Sequence, residues 1–415
     1  MAASNADSAA STTLQQVSQP KAYLPRYIDI GINLADPIFR GRYHGSQRHP
    51  DDLKAVVQRA KEVGCSRLIV TGSSFRSSRD ALKLAGEFPD VVYTTAGIHP
   101  CSSSIFCASY KRHQEEDHSD DEHTPACDPD PSKPIPDEQE IDTAKSETII
   151  KDLESLIAEA RSSTSSTSPA LVAFGEFGLD YDRLHYCSRT VQLHSFAAQL
   201  KLAASLTPQL PLFLHSRAAH ADFVRLLREH FGPCLERLER GGVVHSFTGT
   251  VDEMRELTDG LGLYIGVNGC SFKTAQNCAV VREIPLDRIM LETDGPWCEV
   301  RPSHEGWKYL VELKPSADAN GSAGPTNGQP PAEGGAQPKG RKQGKKNQKK
   351  EPEVPERFKV VKKEKWEEGA MVKGRNEPCT IERVARIVAG IKGVSIEDVC
   401  EAAWQNTVKV FGLGE

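Results

Sequence analysis

ALVAFGEFGLDYDR, residues 170–183, decides how the rest of the chain reads. Four β-forming apolar residues, Leu171, Val172, Ala173 and Phe174, stop abruptly at Gly175-Glu176-Phe177-Gly178. A buried strand of this kind delivers one carboxylate to its own carboxyl end, where any aliphatic residue would serve the core equally well. In a barrel of parallel strands, that end is where catalytic groups collect. Glu176 is therefore expected to be a metal ligand, with partners supplied by other strands.

The flanking segments alternate in the same way. YIDIGIN (27–33), RLIVTG (67–72) and VVYTTAG (91–97) read as strands, separated by helices at DDLKAVVQRAKEVG (51–64) and SSRDALKLAGEF (77–88). A helix from about Ser146, with Ile149, Leu153, Leu156 and Ala160 at helical spacing, leads into the central strand. Beyond it come a long helix near 188–206 and the strands LPLFLH (210–215), GGVVHSF (241–247), LGLYIGVNG (261–269) and RIMLETDGPW (288–297). Helical segments are expected near 218–230, 250–259 and 274–283. The closing helices TIERVARIVAGIKG and SIEDVCEAAWQNTVKVFG, with Thr380 and Ser395 as expected N-caps, complete the eighth unit. Eight strands alternating with helices predict an α/β fold, a (β/α)8 TIM barrel of the metal-dependent hydrolase type.

The barrel is expected to occupy 25–412 as one domain, after a disordered tail at 1–24 and around two disordered insertions. The first, at about 108–144, is acidic: twelve Asp/Glu face three Lys/Arg between 111 and 142, among five prolines. The second, at about 315–355, is rich in Gly, Pro and Lys. Its lysine run at 339–350 reads first as a solvated stretch, ahead of a nucleic-acid contact or nuclear-import patch. With 415 residues, a net charge of -6 and 26% charged residues, the composition is that of an ordinary soluble chain. No apolar run approaches the ~18 residues of a membrane span, and no secretory or mitochondrial import signal is visible at the start. The 11 cysteines include no C-x-x-C pair, so neither a disulfide framework nor a structural zinc site is indicated. Cytoplasmic and/or nuclear localisation is expected, with no membrane association and no obligate protein partner.

Polar residues recur where the strands end: Asp29 and Asn33, then His99, Glu176, His215, His245 and Asp294. A single histidine after an apolar strand is more often a hydrogen-bonded core residue. The set together has no packing rationale, because buried carboxylates and imidazoles cost several kcal/mol without partners. Divalent cations supply that partner, with Mg²⁺, Mn²⁺ and Zn²⁺ all compatible with mixed imidazole and carboxylate donors. Two ions bridged by Glu176 would clamp the attacking and leaving oxygens of a phosphoryl transfer. Asp180 and Arg217 read equally as groups that orient ligands or meet substrate phosphate and as salt-bridge partners. Cys270 and Cys298 read as small buried thiols. G-x-S-x-G and G-x-x-x-x-G-K-[ST] motifs are both absent.

The strings DIGINL (29–34), GIHP (97–100), GEFGLDYDR (175–183), FLHSR (213–217), VVHSFTGT (243–250), YIGVNGC (264–270), ETDGPW (292–297) and GRNEPC (374–379) together resemble the TatD family of metal-dependent deoxyribonucleases, in its eukaryotic branch. The resemblance covers about residues 26–100, 146–313 and 366–412. It implies a DNA-hydrolysing enzyme with 3′ to 5′ exonuclease activity. By motif it implies Glu176 as the carboxylate shared by two ions, His215 and His245 as ligands of one, and Asp294 as ligand of the other and catalytic group. His99 would be a catalytic or phosphate-facing group. Many members begin the first strand with His-x-His where this chain has Asp29-Ile30-Gly31, so Asp29 and Asn33 stand as a weak metal contact or as groups behind the ligands. Arg217 is the candidate for substrate phosphate. Two other readings compete: a metal-dependent hydrolase of the amidohydrolase type, and a scaffold with a decayed site.

Overall fold

A computed structural model describes residues 23–110, 133, 139–162, 169–311 and 354–414. Residues 1–22 of the tail expected at 1–24, most of the acidic insertion and most of the Gly/Pro/Lys-rich insertion, including its lysine run, lie outside those residues.

The elements run β1 (Tyr27–Ile32), α1 (Leu53–Glu62), β2 (Cys65–Val70), α2 (Phe75–Glu87), β3 (Val92–Ala96), α3 (Thr143–Ser162), β4 (Leu171–Asp180) and α4 (Arg189–Ser205). They continue β5 (Leu212–Arg217), α5 (His220–Phe231), β6 (Gly242–Val244), α6 (Val251–Arg255), β7 (Tyr264–Val267), α7 (Ala275–Glu283), β8 (Ile289–Leu291), α8 (Ile381–Lys392) and α9 (Ile396–Phe411). The eight strands lie side by side in chain order and every pairing is parallel. Beyond the last strand, Asp294 N donates to Gly31 O at 2.8 Å and Asn33 N to Gly295 O at 2.8 Å, which joins β8 to β1 and closes the (β/α)8 barrel.

Alternation along the strands separates two apolar layers, as a period of two requires. Ile28, Ile30, Ile69, Ala173, Phe213, Val243, Tyr264 and Met290 form one cluster together with Trp404, Phe411 and Leu413 around the end of α9. Their neighbours Leu68, Val70, Leu212, Leu214, Val244, Ile265 and Leu291 belong to the larger cluster that packs the helices onto the barrel. Ser395 caps α9 through a reciprocal capping box with Asp398; Thr380 makes no side-chain cap on α8.

One expectation changes. The central strand does not stop at Gly-Glu-Phe-Gly: β4 is ten residues long and runs to Asp180. Its register against β5 breaks between Gly175, paired with Phe213, and Phe177, paired with Leu214, so that Glu176 is the extra residue of a bulge. A bulge turns one side chain out of the alternation and is common beside active sites. The glycines on either side permit it. A Cβ on Gly175 (φ +145) would meet Phe213 O at 2.1 Å, and one on Gly178 (φ +151) would meet His215 O at 1.9 Å. Freed from the ladder, Glu176 N donates instead to Gly72 O, at the end of β2, at 2.7 Å.

GRNEPC (374–379) takes a structural place of its own. Arg375 is fully enclosed, donating to Asp52 at 2.9 and 2.6 Å, to Glu377 at 2.9 Å and to Ile38 O at 3.1 Å. Arg59 of α1 completes the network through Glu377 at 2.8 Å. This anchor lets Asn376 donate to Thr293 O (2.9 Å) and Trp297 O (2.8 Å), bracing the turn that carries Asp294.

Candidate metal centre

Glu176, His99, His215 and His245 meet at the carboxyl end of the barrel, all buried. Glu176 Oε1 lies 2.6 Å from His245 Nε2, 3.0 Å from His215 Nδ1 and 3.4 Å from His99 Nε2, while the two nitrogens of His215 and His245 are 3.4 Å apart. Each strand contributes by position: Glu176 from the β4 bulge, His215 from β5, and His245 and His99 from just beyond β6 and β3.

The outer nitrogen of each ring fixes what the inner one offers. His215 Nε2 faces Asp180 Oδ2 at 3.1 Å and His245 Nδ1 faces Glu292 Oε2 at 3.4 Å. Each carboxylate favours a proton on the nitrogen it faces, so both neutral rings turn a lone pair toward Glu176. His99 is arranged the other way. Its Nδ1 accepts from Cys101 N at 3.1 Å, which puts the proton of the neutral ring on Nε2. Proximity alone groups His99 with Glu176 and His215, and with Cys101 and Asp180, as donors for an ion. The tautomer argues otherwise and makes His99 Nε2 a hydrogen-bond donor.

Two lone pairs and a carboxylate oxygen this close repel one another unless something positive stands between them. In the metal-free protein it is a proton. Burial disfavours a charged His245, yet Glu176 and Glu292 outweigh it and hold that imidazole well above its usual range. Glu176 is likewise driven well below the carboxylate range despite burial, chiefly by His245 and His99. Asp180, with His215 and with Arg183 at 3.5 Å, is also low in spite of its burial. His99 goes the other way, since burial drives it down to about 3. The donor set and the excess of buried carboxylates fit divalent cations, which would take the place of the proton on His245.

Asp294 stands across the mouth. Asn33 Nδ2 donates to its Oδ1 at 3.0 Å and Cys298 Sγ to its Oδ2 at 3.2 Å. Burial, then repulsion from Glu292 and Glu176 set against attraction to His245, leaves its carboxyl raised to about 7. Its backbone, like that of Ser246 and Cys298, is left-handed (φ 52°, 49° and 53°). Such residues cost about 1–3 kcal/mol each and persist only where their surroundings hold them. Asp29 does not join the cluster. Its hydrogen bonds all go to Gly31 and Thr293, the shortest being Thr293 Oγ1 at 2.5 Å, and burial raises it to about 8. Arg217 ends β5 on the last rung, opposite Asp180, and is half-buried.

Glu292 was not singled out in the sequence. It is fully buried, its Oε1 accepts from Ser246 N at 2.5 Å and Asn268 Nδ2 at 3.3 Å, and its Oε2 faces only His245. A Cβ on Gly31 would lie 2.4 Å from Glu292 Oε2, so the glycine of DIGINL makes room for this carboxylate. The available signal was a second acid in ETDGPW two residues before Asp294.

An eight-stranded parallel barrel with buried His, Glu and Asp side chains at its carboxyl mouth has the fold of a metal-dependent hydrolase. The family model for TatD related DNase matches residues 28–412. Deoxyribonuclease Tat-D of Schizosaccharomyces pombe is 39% identical over 388 residues, covering 93% of this chain and 96% of that protein. A 3′-5′ ssDNA/RNA exonuclease TatD of Edwardsiella piscicida is 35% identical, covering 65% of this chain and 79% of the other. A crystal structure of an uncharacterized amidohydrolase from Saccharomyces cerevisiae superposes with a TM-score of 0.70 at 30% identity, covering 93% of this chain and 100% of the other. The chain belongs to the TatD family of deoxyribonucleases. No helix among the described residues is long and apolar enough to cross a membrane.

Proposed function

We propose that this chain is a divalent-metal-dependent deoxyribonuclease that shortens DNA from the 3′ end. Glu176, His215, His245 and Asp294 would hold the metal, Glu176 shared between two ions. The observation that carries this reading is the convergence of His245 Nε2 and His215 Nδ1 on Glu176 Oε1 at 2.6 and 3.0 Å, each ring backed by its own carboxylate. The names borne by the S. pombe and E. piscicida relatives support DNA as substrate and a 3′ to 5′ direction.

When bound, divalent cations supply Lewis-acid polarisation of a phosphate oxygen and a water of lowered pKa. The chain's own residues do the rest. His99, neutral and carrying its proton on Nε2, donates a hydrogen bond toward the reacting phosphate. Asp294, aimed by Asn33 at 3.0 Å, would take the proton of the attacking water. Arg217, on the rim, meets a neighbouring phosphate. Asp180 and Glu292 keep the two metal-holding imidazoles in the tautomers that expose their inner lone pairs. Asp29 takes no ion in this reading and links β1 to the end of β8.

The test uses end-labelled single- and double-stranded DNA with Mg²⁺, Mn²⁺ or EDTA, alongside Glu176→Ala and His245→Ala. Metal-dependent shortening that both variants lose supports the nuclease. Equal activity in the variants identifies a contaminant and ends this reading.

A further inference from the structure

Two thiols stand at the edge of the site in closer contact than sulfur packing requires. Cys270 Sγ and Cys298 Sγ are 3.0 Å apart, nearer than the van der Waals contact of two sulfurs. The backbones meet there too: a Cβ on Gly269 would lie 1.9 Å from Cys298 O, so only glycine allows the two segments to approach. Each thiol is independently held. Cys270 N donates to Asn268 Oδ1 at 2.9 Å, and Asn268 reaches Ser246 Oγ at 2.9 Å. Cys298 follows the turn braced by Asn376, with left-handed backbone at φ 53°. Cys270 is buried and Cys298 only partly so, which makes Cys298 the more accessible of the two to an oxidant.

We infer that Cys270 and Cys298 form an oxidation site, a dithiol that hydrogen peroxide converts to a disulfide and that thereby displaces Asp294. In the first step the sulfur of Cys298 attacks the peroxide O–O bond. It becomes a sulfenic acid, and the distal oxygen leaves as water after taking a proton. In the second, Cys270 Sγ attacks the Cys298 sulfur, the S–S bond forms, and the sulfenic oxygen leaves as a second water. Two thiols and one peroxide give one disulfide and two waters. The geometry favours a disulfide over further oxidation, because the resolving sulfur already touches the one attacked.

The link to Asp294 is direct. Cys298 Sγ donates to Asp294 Oδ2 at 3.2 Å. A disulfide has no S–H, so that donor is lost. Closing 3.0 Å to the ~2.05 Å of an S–S bond also draws the two segments together by roughly 1 Å. Misplacement of a catalytic group by that amount costs on the order of 100-fold in rate. This part rests on the proposed role of Asp294, whereas disulfide formation itself does not.

The test uses the full chain with Cys127→Ser and Cys234→Ser, which removes the exposed Cys234 and the cysteine of the acidic insertion. One equivalent of hydrogen peroxide is added and quenched with catalase. Peptide mapping, Mn²⁺ calorimetry and DNA hydrolysis are then read before and after dithiothreitol. The expected result is a Cys270–Cys298 cross-linked peptide with loss of two hydrogens, and a fall of tenfold or more in hydrolysis that reductant reverses. Cys270→Ala in the same background yields no cross-linked peptide. Sulfinic acid at Cys298 without a cross-link, or a complete cross-link with hydrolysis and Mn²⁺ affinity unchanged, overturns the inference. Hydrolysis absent in both redox states, with Mn²⁺ affinity that still follows the cross-link, would remove the nuclease reading and leave this one standing.

Discussion

Glu292→Gln should weaken divalent-metal binding by 10–100-fold while leaving the fold intact. The substitution is isosteric, and Ser246 N and Asn268 Nδ2 both point at Oε1. The amide must therefore keep its carbonyl there and turn its NH₂ toward His245. His245 Nδ1 then has to accept a hydrogen bond. The ring proton moves to Nε2, the atom 2.6 Å from Glu176, and the lone pair meant for the metal is lost. Removing the partner behind a metal-binding histidine typically costs 10–100-fold in affinity, or about 1.4–2.7 kcal/mol. The lost charge also weakens the competing proton: at 3.4 Å the attraction between Glu292 and a protonated His245 is about 5 kcal/mol at an effective dielectric near 20. An ion held by Nε2, on the far side of the ring, would lie farther from Glu292 and lose a comparable amount, so the two charge effects largely offset and the tautomer sets the size of the change. Isothermal titration with Mn²⁺, beside an unchanged thermal midpoint in EDTA, measures this. An affinity equal to that of the unmodified protein would refute the tautomer argument.

Three further outcomes are expected. Mn²⁺ affinity should climb about tenfold per pH unit as pH rises toward the raised value of His245, because Glu176 and Glu292 hold a proton there that the ion must displace; calorimetry in buffers of different ionisation enthalpy counts the proton released, and a count of zero contradicts the reading. Arg375→Met should lower stability by about 3–5 kcal/mol in urea denaturation, since Asp52 and Glu377 would share only Arg59. A loss under 1 kcal/mol would show that the network is not needed. Glu176→Ala should abolish binding of both Mn²⁺ equivalents, whereas Asp294→Asn should keep the first and lose the second; equal stoichiometry in the two variants would remove Glu176 from its shared position.

The order of the strands, their parallel pairing and the histidines at their ends were legible because each depends on local pattern alone. Apolar runs closing on His99, His215 and His245 needed no knowledge of neighbours. Glu176 stood out because it interrupts an apolar run, but with the wrong local geometry: a strand end and a bulge both make that interruption, and only the register against Phe213 and Leu214 separates them. Asp29 and Glu292 were harder still. Asp29 lies on β1 near the mouth, but its direction is set by Thr293, which is 264 positions away. Glu292 looked like a flank of Asp294, because nothing in ETDGPW says that Gly31 of another strand has left space for it. GRNEPC was recognisable as a motif without a visible purpose, since both acids that hold Arg375 in place, Asp52 and Glu377, acquire meaning only in three dimensions.

The bracing of the Asp294 turn by Asn376 also bears on synthesis. Ribosomes release the chain from its amino end at about 5–20 residues per second, so Glu176, His215, His245 and Asp294 all emerge before Asn376, which steadies Thr293 and Trp297 from behind. A nascent chain carries this cluster early and its support late. The turn that carries Asp294 thus gains its support from Asn376, a residue made more than eighty positions after Thr293.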